Sequence, residues 1–228
     1  MLVGLSVGNA ESYEAWKVFL RDLAKRNLAA PLLGISDGAA GLIKAFEEVF
    51  ARSLRQRCLV HKLRNVLSAV SAEGQAEVKQ AYWRIFDDIE IAPGESAVQI
   101  AKDRASTFQA TYATIYPTAV RMVMDDIESL TAFLHFPVEH WLRVRHTNLL
   151  ERTFGESRRR VKVIGRLPGE ESCSSLVWAV LDRGSTGWRG LRETVAGLRL
   201  LDELRDRLLK QPLAVQTGEH HPETASAA

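Results

Sequence analysis

The sequence lacks the features that mark secreted and membrane proteins. It has only two cysteines, Cys58 and Cys173, which are far apart and share no repeated spacing. They form no disulfide framework, and we predict reduced thiols. No apolar run approaches the ~20 residues of a membrane span. The apolar opening from Met1 to Val7 has no basic leader and is too short for a signal peptide. These absences predict a cytoplasmic protein with no membrane partner.

Several catalytic motifs are absent as well. The sequence contains no Gly-rich phosphate loop and no Gly-x-Ser-x-Gly elbow. Cys58 and His61 have the spacing of half a zinc site, but no second Cys/His pair accompanies them, so a structural zinc ion is not predicted. The net charge of +2, from 30 Lys and Arg against 28 Asp and Glu, does not by itself indicate a nucleic-acid partner.

Positive charge is nevertheless concentrated in one segment. Residues 141–166 carry eight basic side chains against Glu151 and Glu156, a local charge of +6. The eight are Arg143, Arg145, Arg152, Arg158, Arg159, Arg160, Lys162 and Arg166. A solvated helix C-terminus also favours cations, but eight exceed what the helix dipole needs. The asymmetry is typical of phosphate binding, and we predict that these residues contact DNA.

The first 70 residues predict a β-α-β-α-β order with parallel pairing. The predicted elements are strands at 2–7, 31–36 and 57–60 and helices at 11–26 and 40–50. From about 71 to 139 the pattern is helical, with breaks at Pro93, Pro117 and Pro137. A last helical block covers 148–209. The predicted division is a partial core at 1–70, an all-helical insertion at 71–140, C-terminal helices at 141–210 and a disordered tail at 211–228.

Two acids stand out in this pattern. Asp37 ends a buried strand, where α/β sheets present their ligands, and Gly38 after it would allow close approach of substrate or metal. Glu151 heads a helix and shares a stripe with Arg158 and Lys162. Each acid has a structural alternative, Asp37 as a turn acid and Glu151 as part of a helix cap begun by Asn148. A neighbouring stripe of the same helix is apolar and consists of Leu150, Phe154, Val161 and Ile164.

Four segments together resemble the catalytic region of bacterial insertion-sequence transposases of the Mutator type, which are DDE enzymes. The segments are Gly4 to Ser12, Ser36-Asp37-Gly38, Arg57 to Asn65, and Thr147 to Arg152. Each segment alone is weak, but their order and separation make chance agreement improbable. The resemblance covers the chain from about Met1 to Leu209.

The resemblance implies roles for individual residues. Asp37 would be the second catalytic acid and Glu151 the third, together holding Mg²⁺ or Mn²⁺. Cys58, His61 and Asn148 match signature positions near the active site. The implied fold is α/β and helix-rich, a partial RNase H-like core with a large all-α insertion between the two acids. The implied partners are transposon ends, target DNA and further transposase copies, which indicates association with the bacterial nucleoid.

The chain departs from the family at its beginning. The family's first acid lies on the first strand of a sheet ordered 3-2-1-4-5, and the sequence has no acid between Met1 and Gly8. Acids of the insertion, including Asp87 and Asp126, are not expected at the sheet. The first strands are therefore predicted to be missing, the strand at 2–7 to lie apart from that of Asp37, and the chain to be a truncated product that is inactive alone.

Three functions remain open from the sequence. The first is a transposase that cleaves and joins DNA strands with metal ions held by Asp37 and Glu151. The second is a non-catalytic remnant that binds DNA or interferes with transposase subunits, because the first acid is missing. The third is a helical interaction protein without a nucleic-acid partner, in which the acids are caps and the arginines are solvated.

Overall fold

Two short parallel strands form the sheet of the described part of the chain. In the computed structural model, β1 (Leu33–Ser36) lies beside β2 (Leu54–Arg57), with Leu33 opposite Leu54 and Ser36 opposite Arg57. Helix α2 (Ala40–Val49) crosses over between them. The structure describes residues 3–6, 11–164, 169–188 and 190–210. Within these ranges the chain is helix-rich with a small parallel sheet, which confirms the predicted class at that level.

The remaining helices follow in chain order. They are α1 (Tyr13–Lys25), α3 (Leu59–Ser68), α4 (Gln75–Phe86), α5 (Glu95–Tyr112), α6 (Pro117–Asp125), α7 (Ile127–Thr131), α8 (Trp141–Val144), α9 (Asn148–Ile164), α10 (Glu170–Thr186) and α11 (Val195–Arg205). Short 3-10 turns cover Ala132–His135 and Val138–His140, and a π-helical turn covers Asp206–Lys210. The predicted tail at 211–228 and Arg166 lie outside the described residues. No described helix is long and apolar enough to cross a bilayer.

Two of the predicted strands are wrong. Residues 3–6 form no strand, and residues 2 and 7 lie outside the description. The strand predicted at 57–60 lies three residues earlier, because Leu59 already begins α3. Leu59, Leu63 and Val66 recur at helical spacing, and all three are buried. The apolar residues after Arg57 therefore belong to a helix face rather than to a strand.

Strand β2 is polar but is held by partners from distant segments. Gln56 is fully buried, and its amide donates hydrogen bonds to the carbonyl oxygens of Arg57 (2.7 Å) and Leu130 (3.2 Å). Its side-chain oxygen accepts one from the backbone N–H of Phe133 (2.8 Å). A buried amide with these three bonds is nearly satisfied, so the strand tolerates it. These bonds attach the sheet to the helical region.

The apolar interior falls into a large and a small cluster. The large one combines α3 with α4–α6 and includes the fully buried Tyr82 and Phe133. The small one joins α1 to α2 through Leu20, Leu23 and Phe50. Burial of such side chains is the main stabilising term, at about 1.5–3 kcal/mol each. The helices of the predicted insertion thus share one core with α3, which carries His61.

Candidate functional site

The carboxyl end of β1 leads directly into Asp37, which is exposed. Its Oδ1 accepts a hydrogen bond from the backbone N–H of Ala39 at 3.3 Å, the turn geometry expected of such an acid. Gly38 has a φ of 99°, in the left-handed region that favours glycine. A Cβ there would lie 0.7 Å from Nη1 of Arg57. The space that a Cβ would take at Gly38 is therefore filled by the Arg57 side chain, and close approach of a ligand to this glycine stays a prediction.

Cys58 follows β2 and is fixed by three segments. Its N–H donates to the Ser36 carbonyl at 2.8 Å, which places it beside the residue that precedes Asp37. The next N–H, of Leu59, donates to the Arg145 carbonyl at 3.0 Å. The buried Tyr82 hydroxyl donates to the Leu59 carbonyl at 3.0 Å, and burial raises the pKa of Tyr82 well above its ordinary value. Cys58 itself is fully buried.

Cys58, His61 and Glu151 form a cluster of potential metal ligands. One ligand atom from each lies within 4.8 Å of the other two. Nδ1 of His61 is 3.2 Å from Sγ of Cys58 and 3.6 Å from Oε1 of Glu151. The fold therefore brings Glu151 close to Cys58 and His61, although about 90 residues of sequence separate it from them. Asp37 does not belong to this group.

Thr147 is the residue that the sequence reasoning missed. Its Oγ1 lies 3.1 Å from Oε1 of Glu151 and 3.4 Å from both Sγ of Cys58 and Nδ1 of His61. Its backbone N–H also donates to that sulfur at 3.4 Å. The first bond of α9 runs from the Glu151 N–H to the Thr147 carbonyl at 3.2 Å, so Thr147 precedes the helix and Asn148 is not its cap. The Thr-x-x-x-Glu spacing was the available signal.

The charge around Glu151 comes from outside α9. Nη1 of Arg64 lies 4.0 Å from Oε2 of Glu151, with the Arg64 side chain 63% exposed. Burial lowers the pKa of His146 below its usual value, which favours a neutral imidazole at physiological pH. Among the described residues, the permanently charged side chain that pairs with the Glu151 carboxylate is therefore the exposed guanidinium of Arg64.

A second cluster lies beneath the end of β2. Asp126 accepts from Nζ of Lys62 at 2.7 Å and lies 3.7 Å from Nε of Arg57. Both cationic side chains are under a tenth exposed, whereas the Asp126 side chain is 31% exposed. The expectation that no insertion acid reaches the sheet is wrong for Asp126. One carboxylate here compensates two nearly buried cations.

The structure places most of the predicted DNA-binding residues at the surface. The exposed ones are Arg143, Arg152, Arg158, Arg159, Arg160 and Lys162. Arg159 and Arg160 pair with Glu156 on the same helix. Arg145 differs, because it forms a 2.7 Å ion pair with Asp87 and lies over the Trp83 ring, with its side chain 15% exposed. Its contacts are those of a structural residue.

Helix α9 packs through small polar residues. Thr153 and Ser157 are buried, and their hydroxyls donate to carbonyls of their own helix. Thr153 lies close to Gly184 of α10. Leu150 and Phe154, expected on an apolar stripe, are 45% and 42% exposed. The side chains of Val161 and Ile164 lie outside the description.

Comparison with known proteins assigns the family. The model of the Mutator family of transposases matches residues 1–190, most of the chain. The chain therefore belongs to the Mutator family of transposases, as the four sequence segments predicted. A helical interaction protein unrelated to transposition is not supported.

Individual relatives are transposases of insertion sequences. The chain is 35% identical over 191 residues to the transposase of IS6120 from Mycolicibacterium smegmatis, covering 83% of this chain and 57% of that protein. It is 34% identical to that of IST2 from Acidithiobacillus ferrooxidans, covering 88% and 68%. It is 30% identical to that of ISRM5 from Rhizobium meliloti, covering 90% and 49%. The chain thus spans about half to two thirds of these relatives.

Proposed function

We propose that the chain carries the second and third acids of a DDE-type transposase and acts in cleavage and transfer of DNA strands. The supporting observation is the position of Glu151. Although Glu151 lies 114 residues after Asp37, one of its carboxylate oxygens is within 4.8 Å of the sulfur of Cys58, whose N–H is bonded to the residue before Asp37. Both acids thus lie toward the carboxyl end of the parallel strands, the usual ligand edge of such sheets.

The fold is compatible with an RNase H-like core. Strands β1 and β2 are parallel neighbours joined by a crossover helix. They would correspond to the last two strands of the 3-2-1-4-5 order, with Asp37 at the end of the fourth. Helix α9 would then be the helix that delivers the third acid to the sheet.

The donor set suits a hard divalent ion at Asp37 and Glu151. Exposed carboxylate oxygens are the ligands that Mg²⁺ or Mn²⁺ prefers. When bound, such ions stabilise charge on the attacking and leaving oxygens of phosphodiester chemistry. Thr147 and Arg64 orient Glu151 by contacting its two oxygens. Cys58 and His61 hold the start of α3 against the same carboxylate.

The exposed cations of α9 would bind the DNA backbone. Arg158 and Lys162 fall seven and eleven residues after Glu151, on the same helical stripe. Phosphates bound there would align a strand with the acids. Transposon ends and target DNA are the proposed partners, in a nucleoid-associated transposase oligomer. Arg145 does not belong to this surface, because its guanidinium is already paired with Asp87.

DNA binding is tested by removing charge from this stripe. We expect the affinity of the chain for duplex DNA to fall steeply as salt rises. The double variant Arg158→Gln/Lys162→Gln should bind roughly tenfold more weakly, with a salt slope shallower by about two, because each phosphate contact contributes about one. Fluorescence anisotropy over a salt series measures both quantities.

The matched control removes the same charge elsewhere. Lys79 and Arg121 are exposed residues of the helical insertion, outside residues 141–166. Lys79→Gln/Arg121→Gln should retain the slope and lose less than about threefold in affinity. Equal losses in the two double variants would refute a DNA surface on α9. Binding that is insensitive to salt would do the same.

A further inference from the structure

We infer that Cys58, His61 and Glu151 form a binding site for a zinc-class ion, separate in chemistry from the magnesium site proposed above. A thiolate, an imidazole and a carboxylate are the three ligand types of zinc sites. Mg²⁺ takes oxygen ligands and has little affinity for thiolate. The sequence had offered only two of these ligands, and the third comes from the start of α9.

The distances fit a tetrahedral ion. Bonds of about 2.0–2.3 Å to zinc separate neighbouring ligand atoms by roughly 3.3–3.6 Å. The His61 nitrogen is 3.2 Å from the Cys58 sulfur and 3.6 Å from the Glu151 oxygen. Oγ1 of Thr147 lies 3.1–3.4 Å from all three atoms and can donate a hydrogen bond to a ligand atom, and water would complete the four-coordinate ion. The Cys58 sulfur and the Glu151 oxygen lie within 4.8 Å of each other, so a small movement of the partly exposed Glu151 side chain would close the ligand set around an ion.

The neighbouring hydrogen bonds hold the candidate ligands in place before an ion binds. The backbone N–H of Cys58 is bonded to Ser36 and that of the next residue to Arg145, and the Cys58 sulfur accepts from the N–H and the hydroxyl of Thr147. Hydrogen bonds of this kind orient metal ligands and tune thiolate sites. The side chains of His61 and Glu151 are 26% and 37% exposed, so the ion has a path from solvent although Cys58 is buried.

Occupancy by zinc has a consequence for Glu151. The carboxylate that coordinates zinc beside Cys58 is withdrawn from the hard-ion site at Asp37. Zinc would therefore inhibit the chain, a consequence that rests on the proposed function. Zinc binding by this cluster does not depend on the proposed function, because the Cys58 thiolate is not part of the proposed magnesium site.

Co²⁺ is the probe, because its absorption spectrum shows whether a thiolate is bound to the ion. Titration of the 228-residue chain with Co²⁺ should produce a thiolate-to-cobalt charge-transfer band and the visible bands of a tetrahedral ion. Zn²⁺ should displace it, and excess Mg²⁺ should not. Cys58→Ser should abolish the charge-transfer band, and His61→Asn should weaken Co²⁺ affinity by at least roughly tenfold. Circular dichroism checks that each variant is folded.

Two variants serve as controls. Cys173→Ser removes the other thiol, and Asp37→Asn alters the proposed magnesium site; both should retain the full spectrum. His61 is partly exposed, so His61→Asn decides the matter if Cys58→Ser fails to fold. Absence of a charge-transfer band in the folded wild-type chain would overturn the inference. So would a band that survives Cys58→Ser or disappears in Cys173→Ser.

Discussion

Glu151→Gln should abolish metal-dependent cleavage of DNA by this chain once it is extended with the first strands and the first acid of a family member, because the chain alone is predicted to be inactive. The amide has nearly the same shape as the carboxylate but carries no charge, so it binds a divalent ion poorly. Loss of this metal ligand removes the ion that stabilises charge in the transition state, and we expect the rate at saturating substrate to drop by about 10³-fold or more. The assay follows strand cleavage in Mg²⁺ or Mn²⁺, using DNA that carries the sequences flanking the coding region.

Glu156→Gln is the matched control on the same helix. Glu156 lies five residues after Glu151 and pairs with Arg159 and Arg160 at the surface. Its replacement should change cleavage less than about threefold, since exposed ion pairs contribute little to stability. An extended wild-type chain that is folded and binds DNA but never cuts it would contradict the catalytic proposal and favour the non-catalytic alternative. Equal activity of Glu151→Gln and wild type would also contradict it.

Asp126→Asn should strongly destabilise the fold. It leaves Lys62 and Arg57, both nearly buried, without a counter-charge. Breaking a buried pair costs about 3–5 kcal/mol, and partial exposure of Asp126 reduces this to about 2–4 kcal/mol. Urea denaturation measures the free energy of unfolding of the variant against wild type.

A substitution of the neighbouring Asp125 and a double variant test whether the destabilisation comes from the lost counter-charge. Asp125 is exposed on α6, and Asp125→Asn should change the free energy of unfolding by less than about 0.5 kcal/mol. Adding Lys62→Met to Asp126→Asn removes one orphaned charge and should restore more than about 1 kcal/mol. Similar losses in Asp125→Asn and Asp126→Asn, or no recovery in the double variant, would disprove the counter-ion role.

Local patterns were sufficient to predict much of the fold. The helical spacing of Leu20 and Leu23 predicted α1, and the apolar run ending at Ser36 predicted β1. Strand β2 could not be predicted in this way, because its sequence Leu-Arg-Gln-Arg has no apolar alternation. Its polar side chains find partners far along the chain, as Gln56 does with Phe133. The periodicity of apolar residues indicates which face of an element is buried, but it carries no information about polar partners far along the chain.

In the candidate site too, the sequence predicted individual residues but not how the fold brings them together. Cys58, His61 and Glu151 could each be selected from the sequence, because the order of their segments resembles one family. Their convergence depends on the path of α9 back to α3, which no local pattern contains. The hydroxyl of Thr147 is as informative as the acids, yet Thr is common and its contacts exist only in the folded chain. Roles for Asp37 and the basic stripe remain predictions.

Binding of Mn²⁺ tests most directly whether Asp37 and Glu151 share a divalent-ion site. Electron paramagnetic resonance of the 228-residue chain distinguishes free from bound Mn²⁺ during a titration. We predict that wild type binds the ion, that Asp37→Asn and Glu151→Gln each weaken binding at least tenfold, and that Cys58→Ser and Glu156→Gln do not. Unchanged Mn²⁺ binding in folded Asp37→Asn would contradict a site shared by the two acids.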